Sequence, residues 1–174
     1  MSSEAIVTDR LVLRGVREGD AKAMFKNWTN DPAVCEFLSW SPHGSLEVTE
    51  ALVQKWVEEE KKPETLRYLI TEKGEDEPLG SIDVVRVRDG CPEIGYCLSK
   101  RCWGKGYMTE ACKALIARLF ELGFSKVVIR ANVNNARSNR VIQKCGFRFI
   151  RVDEEVLSPE KGKKRINYYE IEKQ

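Results

Sequence analysis

Two glycines one residue apart, Gly104 and Gly106, stand inside the run Arg101-Cys102-Trp103-Gly104-Lys105-Gly106-Tyr107-Met108-Thr109-Glu110. Such a pair lets the backbone approach a ligand closely and aim successive N–H groups at one point. The run sits between a strand-like segment, Glu93 to Leu98, and a helical pattern ending near Leu122. A helix start adds N–H donors without intrahelical acceptors and the positive end of the helix dipole, so the natural guest is an anion, most often a phosphate. Ser99 stands where a Walker A loop has its first glycine, and Gly106 follows Lys105 in place of Ser or Thr. A dinucleotide fingerprint requires a third glycine where Thr109 stands. Spacing alone leaves two readings open: an anion site, or a plain tight turn into a helix.

The elements that must position this run follow from periodicity. Thr8 to Val16 reads as a first strand around Leu11 and Leu13. Asp20 is placed to cap a helix carrying Ala21, Met24, Phe25 and Trp28, which Asn30-Asp31-Pro32 stops. A loop, Phe37 to Gly44, leads to a second amphipathic helix from about Ser45 to Lys61. Three strands follow, Leu66 to Glu72, Leu79 to Val87 and Cys91 to Leu98, the last two joined by a turn at Arg88-Asp89-Gly90. After the glycine run, Met108, Ala111, Leu115, Leu119 and Leu122 mark the buried stripe of a helix. Lys126 to Ala131 reads as a buried strand, Asn135 to Cys145 as a short helix, and Phe147 to Leu157 and Arg165 to Lys173 as two final strands. The order β-α-α-β-β-β-α-β-α-β-β implies one mixed sheet with helices on both faces, in a single domain spanning residues 1–174.

Composition narrows the function classes. The 174 residues carry a net charge of +2 from 29 basic and 27 acidic side chains, well mixed, which argues against a dedicated nucleic-acid surface. The one basic cluster, Lys161-Gly162-Lys163-Lys164-Arg165, reads as a solvated hairpin tip. No apolar run approaches the ~18 residues of a membrane span and Met1-Ser2-Ser3-Glu4 carries no signal pattern, so cytoplasmic is the default location. Six cysteines form no Cys-x-x-Cys pair and there is a single histidine, His43, so neither a metal site nor a disulfide framework is expected.

Arg101-x-x-Gly104-x-Gly106 resembles the pyrophosphate-binding motif of the GCN5-related N-acetyltransferases (GNAT), which use acetyl-coenzyme A. The segment Asn135 to Phe147, with Asn135, Ser138, Lys144, Gly146 and Phe147, is similar to a second segment of that superfamily, at the matching distance and in the same strand-helix-strand context. Arg10-Leu-Val-Leu-Arg14, then Asp20 and Asn30-Asp31-Pro32, looks like the branch of RimJ/RimL ribosomal-protein N-terminal acetyltransferases. The similarity covers nearly the whole chain. It implies the GNAT fold, an α/β domain with a mostly antiparallel sheet whose one parallel pair of strands splays apart to admit the cofactor.

The resemblance also implies roles. Backbone groups of Ile94, Tyr96, Cys97 and Leu98 would pair with the pantetheine arm. The region of Arg101, with Trp103, Gly104, Lys105, Gly106, Tyr107, Met108 and Thr109, would hold the pyrophosphate. Asn135 would bond the pantetheine arm, where a simple N-cap suits it equally, and Ser138 would approach the sulfur. Glu93 is the candidate base and an N–H near Leu98 the oxyanion donor. Glu110 in the first helical turn complements the dipole. Where several members place a proton-donating tyrosine, this chain has Ile142, leaving Ser138 or solvent as donor. The acceptor would sit between the two N-terminal helices and the closing hairpin, with Trp28, Phe37, Trp40 and Tyr168 as possible lining. A protein N-terminus is the expected acceptor. A small amine or antibiotic, or a non-catalytic acyl-coenzyme A sensor, is the alternative, and a homodimer is common among relatives.

Overall fold

The computed structural model describes residues 4–174. An eight-stranded sheet runs in the order β1-β2-β3-β4-β5-β6-β8-β7, built from β1 (Ile6–Val7), β2 (Leu11–Arg14), β3 (Arg67–Glu72), β4 (Gly80–Arg88), β5 (Cys91–Leu98), β6 (Lys126–Asn132), β7 (Arg148–Val156) and β8 (Lys163–Glu172). Only β5 and β6 are parallel, and they pair at just two positions, Glu93 with Val128 and Ile94 with Ile129. Beyond Ile94 the two strands part, while β5 stays paired to β4 and β6 to β8. The sheet is therefore continuous at the base of this pair and split above it.

Strand alternation sends side chains to two separate cores. Tyr68 and Ile70 of β3, Ile94 and Leu98 of β5 and Val127, Ile129 and Ala131 of β6 pack with helices α4 (Tyr107–Glu121) and α5 (Ala136–Lys144). Leu69 and Cys97 face the other way, against α1 (Ala21–Met24) and α3 (Leu46–Glu59). Helices thus cover both faces. The buried stripe of α4 runs through Met108, Ala111, Cys112, Leu115, Ile116 and Leu119, the spacing of a helix with one side against a sheet. Among the described residues no helix is long and apolar enough to cross a membrane.

Four local readings change. The expected first strand is a two-strand hairpin, because Thr8 closes a turn: its hydroxyl oxygen accepts from the Leu11 N–H at 3.0 Å. Asp20 does not cap α1 with its side chain. Its carboxylate is taken by Arg14, at 2.8 Å in a buried pair, and by the Arg17 N–H at 2.7 Å. The first helix widens into a π turn over Phe25–Thr29, which brings Asn27, Trp28 and Thr29 inward together. After the stop at Asn30, a further short helix α2 (Pro32–Cys35) forms, with proline in its first turn and Asp31 accepting from the Ala33 N–H at 2.9 Å.

Lys161 departs from the solvated-tip reading, while Lys163, Lys164 and Arg165 are exposed. Its ammonium donates to the carbonyls of Cys35 (2.6 Å), Leu38 (2.6 Å) and Trp40 (3.0 Å), clamping the β7–β8 loop to the loop after α2. Three carbonyls converging on one cation compensate its lost hydration.

Candidate active site

Where β5 and β6 part, a cleft of about 860 Å³ opens. It is lined on the α4/α5 side by Trp103, Gly104, Gly106, Tyr107, Met108 and Thr109, and across from them by Asn135 to Ser138, Arg140 and Lys144. Ile94, Tyr96, Cys97 and Leu98 form one wall and Glu93 lies near its base. Of the residues the resemblance assigns to the cofactor, Arg101 and Lys105 are the two that do not line the cleft. The Arg101 guanidinium pairs with Glu77 at 3.2 Å, and the Lys105 ammonium lies 5.7 Å from the Tyr107 ring.

The glycine loop owes its shape to backbone conformation. Gly104 and Gly106 adopt φ of 77° and 79°, a region costly for residues with a Cβ. Gly106 leads directly into α4, whose first intrahelical bond is Glu110 N–H to Gly106 O at 3.1 Å. The N–H groups of the preceding turn point out of the helix end without an intrahelical acceptor. Arg10 buttresses the loop from outside: its guanidinium donates to Lys105 O at 2.8 Å, pairs with Glu110 at 2.7 Å and lies 4.8 Å over Tyr107. Glu110 also accepts from the Thr8 hydroxyl and the Arg10 N–H. Burial pushes the Glu110 carboxyl up, but these bonds outweigh it and hold its pKa below the ordinary value. The dipole reading of Glu110 therefore understates it, since the residue ties the β1–β2 turn to the loop.

The opposite wall is fixed by Asn139, one residue beyond Ser138. Its amide donates to Asn132 O (2.9 Å) and Asn135 O (2.8 Å), and its oxygen accepts from Tyr169 (2.7 Å) and Asn167 (3.0 Å). Asn135 caps α5, accepting from the Ser138 N–H at 3.2 Å, while also lining the cleft. Ser138 and Tyr96 meet across the gap, hydroxyl to hydroxyl, at 2.9 Å. Trp103 donates from its indole to Leu98 O at 2.9 Å, and Arg137 stacks 3.5 Å above its ring. Ile142 is fully buried in the core.

On the α1/α3 side the lining changes character. Glu93 pairs with Arg86 at 2.8 Å and Arg130 at 2.8 Å, and Arg130 also bonds Glu155. Burial opposes the Arg130 charge, but the two carboxylates outweigh it and push its pKa up. Around this ion network lie apolar residues: Val34, Phe37, Leu38, Val85, Val156 and Leu157. Val85 sits in a β-bulge of β4 and covers Gly95, where a Cβ would come within 2.6 Å of its Cγ1 and displace it. The Cys97 thiol, partly buried and 3.3 Å from Ser81 Oγ, is pushed up to about 12 by burial. Of the aromatics proposed as acceptor lining, Phe37 lines the cleft and Trp28 is core. Trp40 packs against the second core, and Tyr168 lies beneath Arg151 in a neighbouring groove.

A split parallel pair, an anion-ready helix start and a capped helix facing it frame a cleft for a long ligand with an anionic end. The sequence pattern of the acetyltransferase (GNAT) domain family matches residues 10–148, and the chain belongs to that family. It is similar to an N-acetyltransferase designated p20 of Bacillus licheniformis, 26% identical over 147 residues covering 83% of this chain and 82% of the relative. It is likewise similar to the ribosomal-protein-serine acetyltransferase of Escherichia coli, 27% identical over 158 residues and 84% of each chain. The fold matches the solved structure of RimL, a ribosomal L7/L12 α-N-protein acetyltransferase in complex with coenzyme A, with a TM-score of 0.84 at 23% identity over 97% of this chain and 98% of the other.

The roles of several residues escaped the sequence reading. Arg10, Tyr96 as a side chain, Arg130, Asn139 and Lys161 act through contacts between distant segments, and none carries a local signature. The spacing of Arg137, Arg140 and Lys144 along one face of α5 is the one signal that was available.

Proposed function

We propose that the protein transfers the acetyl group of acetyl-coenzyme A directly to the N-terminal α-amine of a protein, in the manner of the ribosomal-protein acetyltransferases it resembles. One observation carries the choice of a polypeptide acceptor. Beyond Glu93 and Arg130 lies a second groove of about 310 Å³, with Arg86, Glu93, Arg130 and Glu155 lining both it and the cleft. That groove is bounded by charges of both signs, including Arg88, Asp89, Arg151 and Asp153, and offers room for chain beyond the reacting amine. A ribosomal-protein acceptor places the reaction in the cytoplasm.

The residues present fit the cofactor. The inner edge of β5 from Gly95 to Leu98 is free of β6 and offers backbone groups to the amides of a pantetheine arm, as a sheet edge does to an added strand. N–H groups from Gly104 to Thr109 would take the pyrophosphate, the Trp103 N–H being spent on Lys100 O at 3.1 Å, and Arg137, Arg140 and Lys144 would add positive charge from the facing helix. Bound there, acetyl-coenzyme A supplies an activated acyl group and a thiolate leaving group. The chain's own part is positioning and charge. A backbone N–H near Leu98 would be the donor that stabilises negative charge on the thioester carbonyl oxygen. Glu93 takes the proton from the attacking amine, directly or through water, and Arg86 and Arg130 hold its carboxylate in place. Ser138 would offer its hydroxyl to the sulfur.

Coenzyme A release with a panel of N-terminal peptides, compared with small amines, tests the acceptor. Turnover on peptides supports the proposal. Turnover on small amines alone overturns the peptide assignment while leaving the transfer chemistry intact.

A further inference from the structure

We propose that Tyr96 is a positioning residue for departure of the thiol: it holds the Ser138 hydroxyl so that the Ser138 proton is directed into the gap between β5 and β6. The proposal rests on the cleft being the acetyl-transfer site. The leaving sulfur needs a hydrogen-bond donor, and α5 has no side chain that provides one one turn beyond Ser138, where Ile142 is fully buried. Five hydroxyl-bearing residues line the cleft: Ser39, Tyr96, Tyr107, Thr109 and Ser138. Ser39 belongs to the loop after α2, on the acceptor side. The Tyr107 hydroxyl is committed to Glu72 at 2.7 Å, and Thr109 lies in the first turn of α4. Tyr96 and Ser138 remain, and they arrive from opposite walls to meet at 2.9 Å.

At 2.9 Å either hydroxyl can donate, and the proposal takes the phenol as the donor. Burial pushes the Tyr96 phenol far up, so it keeps its proton, and the bond to Ser138 only partly offsets this. The phenol has one proton and two oxygens in reach, Ser138 Oγ at 2.9 Å and Ser138 O at 3.3 Å. The nearer is Oγ. With the phenol donating to Oγ, the Ser138 O–H is left to point into the gap, and a negative charge on sulfur there aligns both bonds in one direction. Ser138 cannot drift from this position. The adjacent Asn139 uses all four of its hydrogen-bonding positions on β6, β8 and the start of α5.

The pair acts by hydrogen bonding, without proton transfer. A thiol has an ordinary pKa of about 8.5 and a phenol about 10, and here the phenol is raised further. Handing its proton to a thiolate would be uphill and would leave a buried phenolate. When the C–S bond breaks, the electron pair stays on sulfur and Ser138 donates a hydrogen bond to it. The proton that neutralises the thiolate is the one Glu93 takes from the attacking amine, returned by way of solvent.

Steady-state kinetics on Tyr96→Phe, Ser138→Ala and the double variant test this, alongside wild type and with melting temperature recorded for each. Ser138→Ala is expected to lower kcat by about 100-fold and Tyr96→Phe by about tenfold, both with the KM for acetyl-coenzyme A unchanged. The double variant is expected to match Ser138→Ala alone, because Tyr96 acts through Ser138. Replacing Tyr96 with 3-fluorotyrosine, a stronger donor of nearly the same shape, is expected to keep kcat at or above wild type. Multiplicative losses in the double variant, wild-type kcat in Tyr96→Phe, or losses confined to KM would each overturn the assignment. Wild-type protein without turnover on any acceptor would instead bring down the transfer reading itself, and the role of Tyr96 with it.

Discussion

The two sides of the cleft are built on different plans. The α4/α5 side comes largely from two stretches of sequence, Ile94 to Thr109 and Asn135 to Lys144, and much of its chemistry is backbone: a free strand edge and a helix start. The α1/α3 side is gathered from Val34 to Ser39, Val85 and Arg86, Glu93, Arg130 and Glu155 to Leu157, and its chemistry is side chain, an ion network within an apolar rim. Backbone recognition demands particular φ angles at particular positions, so it ties function to a short run of residue types. A side-chain site assembled from many segments leaves each residue free to vary with its partners. The first plan suits a ligand of fixed chemistry, the second an acceptor that differs from one enzyme to the next.

If that division is real, substitutions on one side should leave the other side's ligand alone. The largest effect is expected at the glycine loop. Gly104→Asp and Gly106→Asp each add a left-handed strain of about 1 kcal/mol and a negative charge beside the phosphates, and should weaken acetyl-coenzyme A binding by at least ~100-fold by calorimetric titration. An acceptor KM that moved as much as the cofactor affinity would blur the comparison. Next is Glu93→Gln, expected to lower kcat/KM for the acceptor by about 100-fold with cofactor affinity unchanged, read from initial rates and titration.

A smaller effect is expected at Lys161. Lys161→Ala frees three carbonyls and lets the loop bearing Phe37 and Leu38 move. Stability should fall by about 1–2 kcal/mol in urea unfolding, and the acceptor KM should rise about fivefold with cofactor affinity held. The smallest is Glu110→Gln, which loosens the glycine loop from behind. The native Glu110 carboxyl titrates below its ordinary range, so its stabilisation is present above about pH 4.3 and fades as pH falls through the native pKa. Urea unfolding should show a deficit of about 1 kcal/mol at pH 7 that shrinks toward pH 3, where wild type has lost the same contribution.

What sequence made legible follows the same division. Gly104, Gly106 and Asn135 were readable because turn, helix start and cap leave their mark within a few residues, and the strand-helix order around them gave the fold. The reading of Ile142 as a non-polar replacement also agrees with its place in the core. Thr8 was read as strand because its turn depends on a hydroxyl bond to Leu11 and on Glu110, about a hundred residues away. The π turn at Phe25–Thr29 follows the demand for three adjacent inward residues, which a 3.6-residue period does not suggest. Lys161 looked solvated because its partners are backbone carbonyls near residues 35–40, and carbonyls leave no trace in residue type.

The two-rung join between β5 and β6 has a mechanical side. With pairing only at Glu93 and Ile94, β1 through β5 form one half-sheet and β6 through β8 another, and any ligand lying along β5 and gripping α5 acts as a strut between them. Occupancy then sets whether the halves loosen separately or together. At a ligand concentration about 100 times its Kd, the strut adds about 2.7 kcal/mol to the unfolding free energy. Amide exchange in β6 and β8 should slow in step with that in β4 and β5 as the cleft fills. In a cell, the lifetime of this protein against proteolysis would rise and fall with its supply of acyl donor.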